Sequence, residues 1–175
     1  MSAAPHADSA PAQLRYCPLC GHALQTRQVG DRPRRACTNC DYVHFTDPKV
    51  GVGALVLHDQ EVLLVRRAME PERGKWSIPA GYLDHGEDPR LTAVREVAEE
   101  TGLAVAITAV LDVFYNPPQE GGATIFVLYR AELLGGMLQA GDDADEAAFF
   151  ALHALPELAF ASTKAAVQAL VEGAL

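Results

Sequence analysis

The segment 81–103, GYLDHGEDPRLTAVREVAEETGL, constrains the fold more than any other part of this 175-residue chain. Asp88 and Pro89 predict the start of a helix, because aspartate caps a helix N-terminus and proline suits the first helical position. Thr101 and Gly102 predict its end, since glycine commonly follows the last turn of a helix. We therefore expect a helix over roughly residues 88–101.

Three glutamates share one face of this predicted helix. Glu96, Glu99 and Glu100 are spaced i, i+3 and i+4, which places their carboxylates side by side. Like charges at this spacing repel and destabilise a helix, so the pattern favours a bound cation. Ligands that are all oxygen atoms suit the hard divalent ions Mg²⁺ and Mn²⁺. A solvated acidic helix is the alternative, but it does not explain the glycines, Arg95 and the helix boundaries together.

The same segment resembles the Nudix box, G-x5-E-x7-R-E-U-x-E-E-x-G-U, in which U is a bulky apolar residue. Every position of the box is filled, by Gly81, Glu87, Arg95, Glu96, Val97, Glu99, Glu100, Gly102 and Leu103. The resemblance covers roughly residues 49–172. It implies an α/β fold, the Nudix α/β/α sandwich with a mixed sheet, in which the box forms a strand, a loop and a helix.

This resemblance also implies a chemistry and the residues that perform it. Proteins with this box hydrolyse a nucleoside diphosphate linked to another moiety, and divalent ions mediate the reaction. The implied metal ligands are Glu96, Glu99, Glu100 and the backbone carbonyl of Gly81. Glu87 and Arg95 are implied as supporting catalytic residues, and Arg95 can orient Glu99 one turn away through a charge-assisted hydrogen bond.

A further catalytic carboxylate is expected outside the box. In similar ADP-ribose pyrophosphatases a glutamate from a later loop binds metal or activates water. Glu146 is the candidate here, because it ends the acidic stretch 142–146 in a segment that resembles the corresponding one of the family. A solvated loop charge is the alternative for Glu146.

All four cysteines lie near the N-terminus as two C-x2-C pairs, Cys17 with Cys20 and Cys37 with Cys40. Four thiolates at this spacing predict a closed, structural zinc site. Two disulfides are the alternative, which a reducing cytoplasm disfavours. A module of this size cannot bury a sufficient core, so the metal supplies folding energy. We expect a disordered segment at 1–14, a zinc ribbon at 15–46 and a Nudix hydrolase domain at 47–175.

Composition limits the partners of the chain. The net charge is −9, and a uniformly acidic protein is a poor general binder of nucleic acid or anionic membrane. No apolar run approaches the roughly 20 residues of a membrane span, and the first residues lack the features of a secretory signal. We expect a cytoplasmic protein with a small-molecule nucleotide substrate. Many proteins of this kind pair as homodimers, so the resemblance allows a homodimer.

The substrate is narrowed by what surrounds the box. A zinc ribbon before this domain is similar to that of the NADH pyrophosphatases, but their S-Q-P-W-P-F-P-x-S signature is missing, and residues 112–118 read DVFYNPP. The surrounding sequence resembles instead the branch with ADP-ribose and FAD pyrophosphatases, which implies AMP and a phosphorylated partner as products. An NADH pyrophosphatase, a hydrolase of RNA caps or 5′ ends, and a non-enzymatic nucleotide sensor remain the alternatives.

Strand patterns and candidate substrate contacts complete the sequence-based predictions. Alternating or continuous apolar runs predict strands at 50–57, 61–67, 104–115, 123–133 and 147–151, and Ser162 is expected to cap a final helix that extends to about Val171,. Arg66, Arg67 and Arg73 flank the expected cleft, although surface charge is the commoner role for each. The candidate substrate contacts are Arg66, Phe114, Tyr129 and Phe160.

Overall fold

The computed structural model describes residues 14–117 and 123–173. The segment predicted to be disordered, 1–14, lies outside the described residues except for Leu14, as does most of the loop predicted over 116–122. The chain divides into two compact units between Asp47 and Pro48. Within the described ranges, no helix is both long and apolar enough to cross a membrane.

The first unit is a small antiparallel sheet around the cysteines. Its strands are β1 (Leu24–Val29), β2 (Arg32–Cys37) and β3 (Val43–His44), paired in that order. Its buried residues are Cys17, Leu24, Ala36 and Cys37. So small a core cannot balance the conformational entropy that is lost on folding, and the unit therefore depends on an additional link between its strands.

The second unit is a seven-stranded mixed sheet with two helices. Its elements are β4 (Val50–His58), β5 (Glu61–Arg67), β6 (Trp76–Ser77), β7 (Ala80–Tyr82), α1 (Pro89–Thr101), β8 (Leu103–Tyr115), β9 (Ile125–Gly136), β10 (Ala144–Ala151) and α2 (Ala161–Val171). The main strand order is β10-β5-β4-β9-β8, with β6 beside β5 and β7 beside β4. Strands β4 and β9 run parallel, and the other pairs are antiparallel.

Helices cover both faces of this sheet, and the central strand shows how. Ala54 and Val56 belong to a core cluster with Val97 of α1. Leu55 lies between them on β4 and packs in a second cluster with Leu170 of α2. Because both faces of β4 are covered, the strand is apolar throughout instead of alternating with polar residues. The predicted fold class, an α/β/α sandwich with a mixed sheet, is confirmed.

Strands β4 and β5 separate soon after the turn that joins them. Strands β4 and β5 pair only through Leu57 with Val62 and through His58 with Glu61. Farther from the turn, β4 pairs with β7 and β5 pairs with β6. The cavity described below opens where these two pairs of strands part.

Two local predictions were wrong. Strand β10 begins at Ala144, not Ala147, because residues 144–146 continue the pairing with Arg67 and Arg66 through a bulge. Ser162 does not cap α2, since Phe160 is the N-cap and offers no side-chain hydrogen bond. The N–H of Ala159 donates to the carbonyl of Trp76 at 2.8 Å, so the chain turns into the helix directly after Phe160 and Ser162 falls within the first turn.

Candidate active site

Helix α1 has the boundaries that its sequence predicts. The side chain of Asp88 accepts a hydrogen bond from the N–H of Arg90 at 2.8 Å, and Pro89 is the first helical residue. Gly102 follows the last turn with a φ of +70°, a left-handed conformation that glycine adopts without strain,. A Cβ at Gly102 would also lie 2.5 Å from the carbonyl oxygen of Met137.

The three glutamates of α1 are not equivalent. Glu96 is 8% exposed and Glu100 is 7% exposed, whereas the side chain of Glu99 is 43% exposed. Glu96 and Glu100 therefore face inward from the helix, and Glu99 lies at its rim. An inward-facing carboxylate without a cation loses hydration that no apolar neighbour replaces.

Strand β7 holds the two inward carboxylates. The N–H of Ala80 donates to Oε2 of Glu100 at 2.9 Å. A Cβ placed on Gly81 would lie 2.1 Å from the carboxylate of Glu96. Only glycine at position 81 leaves room for the Glu96 carboxylate against the strand, so the strand and the helix together determine where this group lies.

Arg95 links the exposed and the buried carboxylates. Its Nη1 donates to Oε2 of Glu99 at 2.7 Å and lies 2.9 Å from Oε1 of Glu96, and its Nη2 lies 3.4 Å from Oε2 of Glu87. Glu87 also accepts hydrogen bonds from the N–H of Asp84 and the hydroxyl of Thr92, at 3.0 and 3.1 Å. The Asp84 N–H contributes most to lowering the pKa of Glu87, so its carboxylate stays ionised beside Arg95,.

The electrostatics of the buried pair fit a bound divalent cation. Burial raises the pKa of Glu100 to about 8, and repulsion from Glu96 and Asp143 adds to that effect. Burial also raises the pKa of Glu96, with contributions from Glu99 and Asp142. Negative groups that raise one another's pKa in a buried place are stabilised by a cation. The glutamates and aspartates here offer oxygen donors, which suit a hard divalent cation, but among the described residues only the cysteines converge closely enough to form a metal-ligand cluster,.

Two aspartates that the sequence did not single out bring further carboxylates to the same cavity. Asp142 and Asp143 line it, together with Glu96 and Glu100. The preceding residues are joined to the end of α1, because the N–H of Gln139 donates to the carbonyl of Thr101 at 2.9 Å. The N–H of Gly141 likewise donates to the carbonyl of Glu100 at 3.2 Å. These backbone contacts hold the acidic loop over the carboxylate face of the helix.

Glu146, the predicted extra carboxylate, lies elsewhere. It pairs with Arg66 across β10 and β5, with Nη1 and Oε2 3.1 Å apart, and neither residue lines the cavity. Both side chains are exposed, so the pair contributes little to stability. Asp142 and Asp143 precede β10 in the loop joined to α1, whereas Glu146 lies inside the strand, where a register shift after Ala144 places it opposite Arg66.

The cavity has a volume of about 450 Å³ and extends from the carboxylates to the start of α2. Its lining includes Arg67 and Phe160, and the Arg67 guanidinium lies 4.8 Å from the centroid of the Phe160 ring. Of the four predicted substrate contacts, only Phe160 lines the cavity. Phe114 packs against Phe126 in the core cluster next to α2.

Tyr129, another predicted contact, is buried in a cluster with Val52 and Ala93 under α1. Arg67 lines the cavity while its neighbour Arg66 does not, because adjacent strand residues point to opposite faces. The roles of these side chains toward a substrate remain predictions.

The cysteine cluster has the geometry of a zinc site. All four Sγ atoms lie within 4.8 Å of one another, and three of the separations are 3.4, 3.6 and 3.7 Å. A tetrahedron with Zn–S bonds of about 2.3 Å has edges of about 3.8 Å. No disulfide joins the cysteines. Burial opposes ionisation of Cys37, but N–H groups of Asn39 and Cys40 lower its pKa to about 6, whereas burial and the neighbouring cysteines raise the pKa of Cys40,.

Comparison with protein families identifies both units. The NUDIX domain model matches residues 47–170. The zinc-ribbon model described as Nudix N-terminal matches residues 15–46.

Individual relatives give a finer comparison. An ADP-ribose pyrophosphatase of Methanocaldococcus jannaschii is 38% identical over 120 residues, which cover 68% of this chain and 71% of that protein. The NAD-capped RNA hydrolase NudC of Vibrio atlanticus is 27% identical over 149 residues, which cover 83% of this chain but 52% of that protein. The crystal structure of a NUDIX hydrolase from Nitrosomonas europaea superposes with a TM-score of 0.82 at 32% identity, over 91% of each chain.

Proposed function

Because the chain belongs to the Nudix hydrolase family of pyrophosphohydrolases, we propose that it splits the diphosphate bond of an ADP-ribose or FAD type substrate. The products are AMP and a phosphorylated partner. The observation that carries the proposal is the buried carboxylate pair, Glu96 and Glu100, which opens into a cavity large enough for a nucleotide,. Similarity to the M. jannaschii ADP-ribose pyrophosphatase supports the choice of substrate.

The proposed metal ligands are Glu96, Glu99, Glu100 and the carbonyl of Gly81. When bound, Mg²⁺ or Mn²⁺ supplies an activated water and offsets the charge of the phosphates. Arg95 contributes by holding Glu99 and Glu96 in place from one side, and Glu87 holds Arg95 from the other. The close approach at Gly81 keeps the Glu96 carboxylate against β7.

We further propose that the loop outside the box contributes its carboxylate from Asp142 or Asp143. This carboxylate accepts a proton from the water whose oxygen attacks phosphorus, while the bond from phosphorus to the bridging oxygen breaks. Both aspartates line the cavity, whereas Glu146 is paired with Arg66 away from it. Either Asp142→Asn or Asp143→Asn, whichever removes the carboxylate that accepts this proton, is expected to lower kcat about 100-fold or more.

The matched control for these aspartate variants is Glu146→Gln, which removes a carboxylate three residues after Asp143 and four after Asp142. The kcat of Glu146→Gln should stay within a few-fold of that of the unchanged protein. A large loss of kcat in Glu146→Gln, with both Asp142→Asn and Asp143→Asn near normal, would contradict the assignment.

A substrate panel tests the proposed activity. Purified protein is incubated with ADP-ribose, FAD, NADH, CoA, nucleotide sugars and deoxynucleoside triphosphates, with Mg²⁺ or with Mn²⁺, and the products are separated by chromatography. We expect the highest kcat/KM for ADP-ribose or FAD, with AMP as a product. No turnover of any compound, or a clear preference for NADH, would refute the proposal.

One observation favours a second candidate, hydrolysis of the diphosphate bond within the NAD cap of an RNA, which leaves a 5′-monophosphate on the RNA. The similarity to the NAD-capped RNA hydrolase covers more of this chain than the similarity to the ADP-ribose pyrophosphatase does. Against it stands the absence of the NADH signature after the box. Adding NAD-capped RNA to the panel separates the two, because a cap hydrolase prefers it to free ADP-ribose.

A further inference from the structure

The start of α2 leaves several hydrogen-bond donors without acceptors. The N–H of Lys164 makes the first helical bond, to the carbonyl of Phe160 at 3.0 Å. Within residues 14–117 and 123–173, the N–H groups of Ala161, Ser162 and Thr163 have no protein acceptor. Phe160 cannot cap them, and the first turn contains no acidic residue. Free N–H groups at a helix N-terminus carry a partial positive charge.

Two buried hydroxyls at the same place provide independent support. Ser162 is 5% exposed and Thr163 is 3% exposed. In the described part of the chain neither hydroxyl makes a protein hydrogen bond, and both residues line the cavity. Among the described residues the fully enclosed side-chain atom without a partner is Nε of Arg130, so the two hydroxyls are open to the cavity and can bond to a ligand there,.

The side chain of Arg67 adds a positive charge at this end of the cavity. The Arg67 guanidinium lies over the ring of Phe160, which occupies the N-cap position of α2, and its Nε donates to the carbonyl of Pro71 at 2.8 Å. Arg67 also lines the cavity, together with Glu96 and Glu100. Acidic residues on this side are Glu70, which is exposed, and Glu72, whose pKa is lowered by its hydrogen bond with Lys75 and further by the charges of Lys164 and Arg67.

We propose that the first turn of α2, with Ser162, Thr163 and Arg67, is a phosphate-binding subsite that acts without metal. It faces the carboxylates of α1 across one cavity, so the cavity has a metal-binding end and an anion-binding end. Its ligand is the substrate phosphate that the metal ions do not hold. The identity of that substrate rests on the proposed function, but the subsite itself is defined by its own donors.

A charge placed at the helix start separates a binding role from a structural one. Ala161 is exposed and is the first residue of α2. Ala161→Asp should stabilise the helix, because a carboxylate there accepts from the free N–H groups and complements the helix dipole. The same carboxylate competes with a phosphate, so KM for ADP-ribose should rise roughly 3- to 30-fold, with little change in kcat.

The matched control is Ala165→Asp. Ala165 is also exposed and lies one turn farther along α2, so the variant has the same net charge without blocking the first turn. Its KM should stay within about twofold of the unchanged protein, since a charge effect fades within the first turn of a helix. An equal rise of KM in both variants would overturn the proposal, because it would reflect net charge alone.

A direct measurement uses inorganic phosphate as the probe. The ¹⁵N-labelled protein, in buffer passed over a chelating resin, is titrated with phosphate and followed by NMR. We expect the amide signals of residues 161–163 to shift in the unchanged protein and in Ala165→Asp, and to shift less in Ser162→Ala and in Ala161→Asp. If these amides do not respond to phosphate, the subsite is refuted.

The two experiments distinguish the subsite from the activity. Shifts at residues 161–163 without hydrolysis of ADP-ribose would leave the subsite standing and refute the proposed substrate. Hydrolysis of ADP-ribose with an unchanged KM in Ala161→Asp would support the proposed substrate and refute the subsite.

Discussion

Replacing Glu100 by glutamine tests whether α1 carries a buried charge that a cation must offset. In the absence of a divalent ion, burial raises the pKa of Glu100 from 4.5 to about 8. Between these two values the folded protein binds more protons than the unfolded chain, so its free energy of unfolding falls as the pH rises. At pH 7.5 the difference amounts to at most about 4 kcal/mol, at roughly 1.36 kcal/mol for each pH unit.

Glutamine removes this penalty and keeps the contact that holds the side chain. Its carbonyl oxygen can still accept from the N–H of Ala80, as Oε2 of Glu100 does at 2.9 Å. We therefore expect Glu100→Gln to be more stable than the unchanged protein by about 1–3 kcal/mol at pH 7.5, since relaxation around the charge reduces the full value. At pH 4.5 the two proteins should be equally stable, to within about 0.5 kcal/mol.

The assay is urea unfolding followed by the fluorescence of Trp76, the single tryptophan of the chain. It lies in the second unit, so it reports on that unit alone. The buffer is passed over a chelating resin, because a dissolved chelator would also compete for the zinc expected at the cysteine cluster. Addition of Mg²⁺ should then stabilise the unchanged protein by mass action, but not Glu100→Gln, which should also lose turnover.

Glu99→Gln is the matched control for this measurement. Its side chain is 43% exposed and pairs with Arg95 at the rim of the site, so its effect on metal-free stability should be within about 1 kcal/mol. It should lose metal-dependent turnover all the same. Two results would refute the reasoning. One is a Glu100→Gln variant that is less stable than the unchanged protein at pH 7.5 without metal. The other is an equal stabilisation of Glu100→Gln and the unchanged protein by Mg²⁺.

Three further variants test the site, the cysteine cluster and the helix end. Gly81→Ala should fold but lose activity, because its Cβ displaces the Glu96 carboxylate; unchanged kinetics would argue against that close approach. Cys37→Ser should lose one zinc per chain by metal analysis, whereas purified unchanged protein without zinc would contradict the site,. Gly102→Ala should lower the free energy of unfolding by more than about 1 kcal/mol, from its positive φ and the contact with Met137, and a smaller loss in urea unfolding would dispute both,.

Features that depend on spacing along one element were predictable from the sequence. A helix repeats every 3.6 residues, so Glu96, Glu99 and Glu100 share a face wherever the helix is placed. Asp88 and Gly102 mark its ends through local backbone chemistry alone,. The two C-x2-C pairs predict a cluster for the same reason, since each pair forms a local turn.

Features that depend on register between elements were not predictable. One residue of slip in a strand moves a side chain to the opposite face. The bulge at Ala144 therefore decides that Glu146 meets Arg66, while the loop contacts to α1 bring Asp142 and Asp143 to the cavity. The selection of Arg67 over Arg66 follows from the same alternation.

The sequence by itself determined the box residues at the proposed metal-binding end of the cavity, because they come from one helix and one neighbouring glycine, whereas tertiary contacts brought Asp142 and Asp143 there. Only the tertiary structure placed the first turn of α2 at the other end of this cavity. The sequence predicts Ser162 as the N-cap of the last helix. In the structure the hydrogen bond from the N–H of Ala159 to the carbonyl of Trp76 precedes a helix whose N-cap is Phe160, and the N–H groups of its first turn have no side-chain cap. Long-range contacts of this kind depend on how strands and helices pack, which no local pattern of residues specifies.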